Sequence, residues 1–339
     1  MKSFFSRSQW IVLIAFFFGV FFLLYYTFFT SNDYSYESPI QFEIRNNEPL
    51  SKIAANLENQ KIIPSSFNFK IAAFIYGAEK KIKAARYKIP NGLSYIELLD
   101  LFTKGDADYL RKVVILPGHT IQWIASRLKW SVFVDSSNFV NKTKDEIFTN
   151  FVDENTKSLE GYLLPGKYYF YENSSPVEII EAMLDSFKTF WSDSLEQRSK
   201  ELGFSKHEIL TLASIVDGET NMIREMPIIA GVYLNRLRIG MKLQADPTVQ
   251  YLLNGNWRRL LNDDLKINSP YNTYLNNGLP PGPINNPGKK AILACLFPDM
   301  HNYLYFVADT NGGHTFSKTF NEHLKKVNNY RQWLKKNSK

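Results

Sequence analysis

Residues 10–29, WIVLIAFFFGVFFLLYYTFF, run for 20 positions without a charged side chain. As a helix this stretch spans roughly 30 Å of hydrocarbon, which constrains the N-terminus more than any other feature of the chain. Lys2 and Arg7 precede it, and Asp33 and Glu37 follow it. Positive charge accumulates on the cytoplasmic side of a span. The expected arrangement is therefore a cytoplasmic tail over residues 1–9, a transmembrane helix over 10–30, and everything later outside the cytoplasm. A cleaved signal peptide is the competing reading. The apolar stretch is longer than a usual signal core and no A-x-A-like site follows it. No second run approaches this length, so a single-pass anchor carrying an exported domain is expected.

The exported part is built to fold. Hydrophobic residues make up 45% of the sequence and charged residues 22%, a balance that supports a packed core rather than disorder. Cys295 is the only cysteine, so stability must come from that core and not from an internal disulfide. It sits in the apolar stretch AILACLF, where a buried thiol is the expected role. The net charge of +7 is mild and owes much to a basic C-terminal tail. Such a tail suits anionic lipid or polymer, or a solvated helix face. Nucleic acid is not expected as a partner outside the cytoplasm.

After a polar linker over residues 31–39, one pattern recurs at residues 42–57, 87–102 and 113–128. Each copy reads as a short alternating strand, a turn with Asn, Pro or Gly, and a helix with apolar spacing of three and four. Leu50, Ile53, Ala54 and Leu57 in the first copy match Ile121, Ile124, Ala125 and Leu128 in the third, and Ser94 with Glu97 forms a candidate capping box in the second. Residues 130–175 read as irregular and aromatic, with a helix from Pro176 and an amphipathic stretch to about Leu202. Ser205 and Glu208 form a capping box that opens a helix through LASIVDGET and beyond, broken at Pro227. The next helix ends at Gly240. Asp246 is read as the cap of a third helix, with Pro247 at its first position. A proline-rich loop covers residues 262–288, then a short helix over 289–296. A hairpin around TNGG and a last helix close the chain.

Chemistry has few candidates. Glu219 ends a run that should be buried, and burial pushes a carboxyl toward the neutral form that a general acid needs. Most helical Glu side chains are solvated, so composition alone favours an ordinary residue. Asp217 is two positions away, about 200° around a helix, so the pair does not converge as a two-carboxylate glycosidase site would. The proline-rich loop carries Tyr271, Asn272, Thr273 and Tyr274, which suit either a sugar polymer or a rigid structural loop. His314 follows two glycines as a lone histidine, more often structural than catalytic. No His, Cys and Asp cluster has metal spacing, and no glycine-rich phosphate loop is present. No metal or cofactor is expected.

Four blocks stand in one order: LASIVDGET, VYLNRLRIGMKLQADPTVQY, SPYNTYLNNGLPPGPINNPG and YLYFVADTNGGHTFSKTFNEH. In that order they resemble the endolytic murein transglycosylases, the MltG or YceG-like family, over about residues 205–331. EGYLLPGKYYF is similar to the family's Glu-Gly-Tyr-Leu-x-Pro segment and departs from it at Gly166-Lys167, where an Asp-Thr pair is common. The units at about 40–105 resemble its LysM-like subdomain.

The resemblance implies an α+β protein. It would have a single N-terminal transmembrane helix, a small LysM-like α/β subdomain at 40–105 and a larger mixed α+β catalytic domain at 106–339. It implies a bacterial cytoplasmic-membrane enzyme, with its catalytic domain in the periplasm or outside the membrane. That enzyme cleaves the β-1,4 bond from N-acetylmuramic acid to N-acetylglucosamine within glycan strands and leaves 1,6-anhydro ends. Its work would be terminating nascent strands, beside peptidoglycan synthases. Glu219 falls on the family's catalytic acid, and Asp217 on a variable position. Gln244, Tyr271, Asn272, Thr273, His314 and Thr315 are the expected sugar contacts. Asp217, Arg236 and Asp246 are expected to support the site, Arg236 either by pairing with a carboxylate or by bridging helices. A non-catalytic glycan-binding scaffold and a water-using muramidase are the alternatives.

Overall fold

The computed structural model describes residues 6–30, 38–153, 156–253 and 258–337. Most of the expected 31–39 linker, with Asp33 and Glu37, and Lys2 lie outside the described residues. The chain forms two compact units, residues 1–111 and residues 112–339.

The first unit begins with α1 (Arg7–Phe29), capped by Ser6 and Gln9 in a reciprocal box. It is long and apolar enough to cross a membrane, and its side chains are almost all exposed, which suits a lipid-facing helix. Phe28 is the exception. It is buried in the unit's core, edge-on to Tyr95 with ring centroids 6.2 Å apart.

β1 (Ile40–Ile44) and β2 (Ala85–Ile89) pair antiparallel, with Phe42 opposite Tyr87. Alternation turns Phe42, Ile44, Ala85, Tyr87 and Ile89 inward. Between the strands lie α2 (Leu50–Asn59) and α3 (Ser66–Tyr76), and α4 (Tyr95–Lys104) follows. The expected capping box at Ser94 and Glu97 is present on α4. α3, which the sequence reading did not single out, is ended by Gly77 at φ 67°, a left-handed cap suited to glycine.

β3 (Leu110–Ile115) begins at the end of the first unit and leads into the second, where α5 (Ile121–Val132) completes the third strand-turn-helix copy. Residues 130–175 are more regular than expected. They contain α6 (Ser136–Lys142), α7 (Glu146–Val152) and β4 (Gly166–Tyr171), which pairs with β3. Asp135 and Asp145 cap the two short helices, signals hidden among the aromatics.

α8 (Pro176–Phe190), α9 (Asp193–Glu201) and α10 (Lys206–Glu219) follow. α10 is the axis of the unit. Ile209 through Val216 are all buried, because α9, α11 (Met226–Arg238), α12 (Asp246–Leu252) and α13 (Lys289–Leu296) pack around it. A helix enclosed on all sides needs no polar face.

Three boundaries differ from the sequence reading. α10 stops at Glu219 instead of running on, and Pro227 lies in the first turn of α11 rather than breaking α10. Asp246 is not a cap. Ala245 takes that position, and Asp246 is the first helical residue. The helix before Gly240 ends at Arg238 with Ile239 as its cap, and Gly240 follows at φ 67°. A hairpin of β5 (Tyr305–Ala308) and β6 (His314–Ser317) and a last helix, α14 (Phe320–Asn337), complete the unit.

Candidate active site

Glu219 is the last residue of the buried helix α10 and is itself only half-buried. Tyr233, one face of α11 away and fully enclosed, donates its hydroxyl to Glu219 Oε1 at 2.5 Å. Burial pushes the Glu219 carboxyl up to about 7. The Tyr233 hydrogen bond opposes that rise, the negative charge of Asp246 adds to it, and the Arg236 cation again opposes it. A carboxyl balanced there holds a proton near neutrality and can also part with it.

The other residues near Glu219 come from separate elements. Asp246 is exposed and accepts a hydrogen bond from the Tyr274 hydroxyl at 2.5 Å. Arg236 is buried. Its Nε donates to the Leu304 carbonyl at 2.6 Å and its Nη1 to the Leu243 carbonyl at 2.5 Å, and its guanidinium lies over the Tyr305 ring at 5.5 Å. It ties α11 to the hairpin and to the segment before α12, with no carboxylate in ion-pair reach among the described residues.

Asp217 points elsewhere, as the helical spacing requires. Its carboxyl accepts from the Gly288 backbone N–H at the start of α13 and is pushed up to about 6 by burial, against that hydrogen bond. It lines a cavity of about 470 Å³ with Val114, Pro117, Lys167, Ile223 and Lys290.

The expected sugar contacts divide into two kinds. Gln244 is exposed beside Asp246, with φ 47°, a left-handed conformation uncommon for a residue with a side chain. Its backbone N–H is fixed to the Thr273 carbonyl at 3.1 Å. Tyr271 is half-buried against Tyr251, with ring centroids 5.2 Å apart. Asn272 and Thr273 are buried and engaged inside the protein. Asn272 Nδ2 donates to the Leu265 and Ile267 carbonyls and its Oδ1 accepts from Tyr274 N–H. Thr273 Oγ1 accepts from Ala245 N–H and meets Thr248 Oγ1. Asn272 braces the proline-rich loop internally, and Thr273 holds it to α12.

His314 and Thr315 face opposite sides of the hairpin, because successive strand residues alternate. His314 packs edge-on against Phe306, which packs edge-on against Tyr233. Its Nδ1 hydrogen-bonds Glu225 Oε2 at 2.7 Å and its backbone N–H donates to Glu225 Oε1 at 3.0 Å. Glu225 is buried and also accepts from Thr220, the residue after Glu219. The pair latches the hairpin tip to the chain leaving Glu219.

Sequence reasoning missed Tyr233, Glu225, Glu160 and Asn286. Tyr233 reads as an ordinary core aromatic of α11. Glu160 is fully enclosed, accepts from Ile121 N–H at 3.0 Å and from Asn286 Nδ2 at 2.7 Å, and is pushed up to about 8 by burial, against both bonds. Asn286 Oδ1 accepts from Gly161 and Leu163 N–H. That hub joins the Glu-Gly-Tyr-Leu stretch to the Asn-Pro-Gly stretch. Cys295 is buried and free, with its thiol pushed up by burial.

The sequence model of the YceG-like family matches residues 42–329. The endolytic murein transglycosylase of Bacillus subtilis (strain 168) is 33% identical over 309 residues, 87% of this chain and 85% of that protein. That of Streptococcus pneumoniae serotype 2 (strain D39) is 29% identical over 79% of this chain, which spans 54%, about half, of its length. The crystal structure of a yceG-like protein from Listeria monocytogenes, solved at 2.6 Å, shares 31% identity. It superimposes with a TM-score of 0.58, covering 86% of this chain and 99% of that one.

Proposed function

The chain belongs to the YceG-like family, and we propose that it is a membrane-anchored endolytic murein transglycosylase with Glu219 as its single acid–base group. The observation that carries this reading is a carboxyl poised near pH 7 at the end of a buried helix, held at one oxygen by Tyr233. Relatives named for this activity supply the substrate class.

In the proposed reaction Tyr233 occupies Oε1, which leaves the proton on Oε2 free to face the glycan. Glu219 gives that proton to O4 of the departing N-acetylglucosamine as the bond from C1 of N-acetylmuramic acid breaks. The C6 hydroxyl of the muramic residue then attacks C1 and passes its proton to the Glu219 carboxylate. The acid is regenerated, no water is consumed, and a 1,6-anhydro ring closes the new end. The attacking hydroxyl is tethered to the reacting centre, so proximity replaces a second base. Tyr271 and Gln244 present accessible groups to the sugar, Asn272 and Thr273 hold the loop that carries Tyr271, and His314 with Thr315 set the hairpin beside it. Arg236 and Asp246 tune the charge felt by Glu219.

Asp246 supports one other reading. It is an exposed carboxylate whose charge Glu219 feels, and a water-using muramidase would need such a base. In either case α1 anchors the enzyme in the bacterial cytoplasmic membrane with residues 1–9 inside and the catalytic unit outside, where new glycan is made. Partnership with peptidoglycan synthases, strand termination and a LysM-like glycan-binding role for residues 40–105 belong to the same proposal.

The test is mass analysis of glycan strands treated with the full-length, detergent-solubilised protein and with Glu219→Gln. Anhydro ends from the wild type, reduced at least about 100-fold in the variant, are expected. Reducing muramic ends would establish the muramidase instead. Equal anhydro product from both proteins would remove Glu219 from the mechanism.

A further inference from the structure

A second cavity, of about 460 Å³, lies between α5 and α12 and does not include Glu219. Its lining is uncharged. None of the side chains around it belongs to Asp, Glu, Lys or Arg. Trp123 forms one wall, about half exposed, with its ring stacked on His119 at 5.8 Å and 23°. That stacking holds the indole as a flat platform. Tyr251 forms another aromatic face, and Gln122 and Ser126 stand at the rim.

Two amides of the lining carry acceptors that the protein leaves unused. Asn285 is 3% exposed. Its Nδ2 donates to the Ser214 carbonyl at 2.9 Å, which fixes the orientation of the amide, and its Oδ1 accepts no hydrogen bond from the protein. Gln250 donates through Nε2 to the Arg258 carbonyl, and its Oε1 likewise accepts nothing. A buried acceptor left without a donor is destabilising, and native proteins hold few of them. The two side chains that carry them, from different elements, both line one cavity.

We propose that this cavity is a binding subsite for a neutral N-acetylated sugar ring, seated on Trp123 and donating its acetamido N–H and a hydroxyl to Asn285 and Gln250. A flat aromatic wall takes the apolar face of a sugar ring, and two acceptor amides select N–H and O–H donors. The uncharged lining does not favour the carboxylates and ammonium groups of a peptide. The cavity adjoins the proposed active site through one contact. A Cβ added at Gly218, the residue before Glu219, would come 2.7 Å from Pro247 Cβ and 3.9 Å from Asn285 Nδ2. A strand cut at Glu219 would thus be gripped at a ring away from the broken bond. The link to cleavage rests on the function proposed above, whereas the binding does not.

Isothermal titration of the full-length, detergent-solubilised protein with tetra-N-acetylchitotetraose tests it, with cellotetraose as the neutral analogue lacking the acetamido group. The acetylated oligomer is expected to bind at least about tenfold tighter than cellotetraose, a difference of about 1.4 kcal/mol. Trp123→Ala and Gln250→Ala, each checked for wild-type unfolding, should each weaken it by about tenfold. Equal binding of the two oligomers, or wild-type affinity in both cavity variants, would overturn the proposal even if anhydro ends are still produced. Anhydro ends missing from the wild type while acetyl-selective binding persists would instead overturn the transglycosylase reading and leave this site standing.

Discussion

Tyr233 on α11 donates its hydroxyl to Oε1 of Glu219 at the end of α10, 2.5 Å away, and both groups sit where burial opposes charge. The bond favours the carboxylate, so it lowers a proton affinity that burial has raised. Removing it in Tyr233→Phe should raise the Glu219 pKa further. The alkaline limb of the pH–rate profile, near 7 for the wild type, should move upward. A hydrogen bond to a charged group is worth about 1.5–3 kcal/mol, so kcat should fall about ten- to a hundredfold. A lower rate with an unmoved limb would mean that Tyr233 only packs.

Asp246 acts on the same carboxyl with the opposite sign, since its negative charge raises the Glu219 pKa. In Asp246→Asn the amide oxygen can still accept from Tyr274, but the charge is gone. The alkaline limb should then move downward, and adding salt to the wild type should move it the same way by screening. If this variant abolishes product instead of shifting the profile, Asp246 takes part in the chemistry and the muramidase reading gains.

Gly313 lies at the hairpin tip, where a Cβ would overlap Glu225 Oε1 and come 3.2 Å from Met222 Sδ. Gly313→Ala should break the Glu225–His314 latch and lower stability by about 1–3 kcal/mol, as overpacking does. Chemical unfolding followed by circular dichroism measures this. A wild-type midpoint would show that the tip yields freely.

Glu160 should make stability depend on pH. Its folded pKa, about 8, lies above its ordinary value of 4.5, so the folded state holds the proton more tightly than the unfolded chain. Its contribution is fully present below about 4.5 and is lost as pH rises through about 8, a span on the order of a few kcal/mol. Glu160→Gln keeps an acceptor for Ile121 and Asn286 and cannot ionise. Urea unfolding at pH 5 and pH 8.5 should show a smaller loss of stability in the variant than in the wild type. An equal loss in both proteins would assign the dependence to other groups.

Periodicity made the strand-helix copies legible, because Phe42 and Ile44, or Ile121, Ile124, Ala125 and Leu128, bury themselves by local spacing alone. Caps at Ser94 and Ser205 were legible for the same reason. Asp246 looked like a cap in isolation. Its shift into the helix depends on Ala245 and Thr273, brought together across the proline-rich loop. Glu219 stood out as a carboxyl after an apolar run, yet its partner Tyr233 is 14 residues away on another helix and has no local signature. The same holds for Asn286, whose partners Gly161 and Leu163 lie more than 120 residues earlier. Spacing shows which side of an element is buried. It does not show which buried polar groups meet.

Phe28 belongs to α1 and to the core of the first unit at once. With α1 in a bilayer, sliding the helix by one turn, about 5.4 Å, would withdraw a phenyl ring from Tyr95 and leave a hole in that core. Hydrophobic mismatch is ordinarily absorbed by tilt or by local deformation of the lipid. With α1 so placed, part of it would be carried into the fold, bilayer thickness would become a thermodynamic variable of the first unit, and lipid composition a means of changing that unit's stability without touching its sequence.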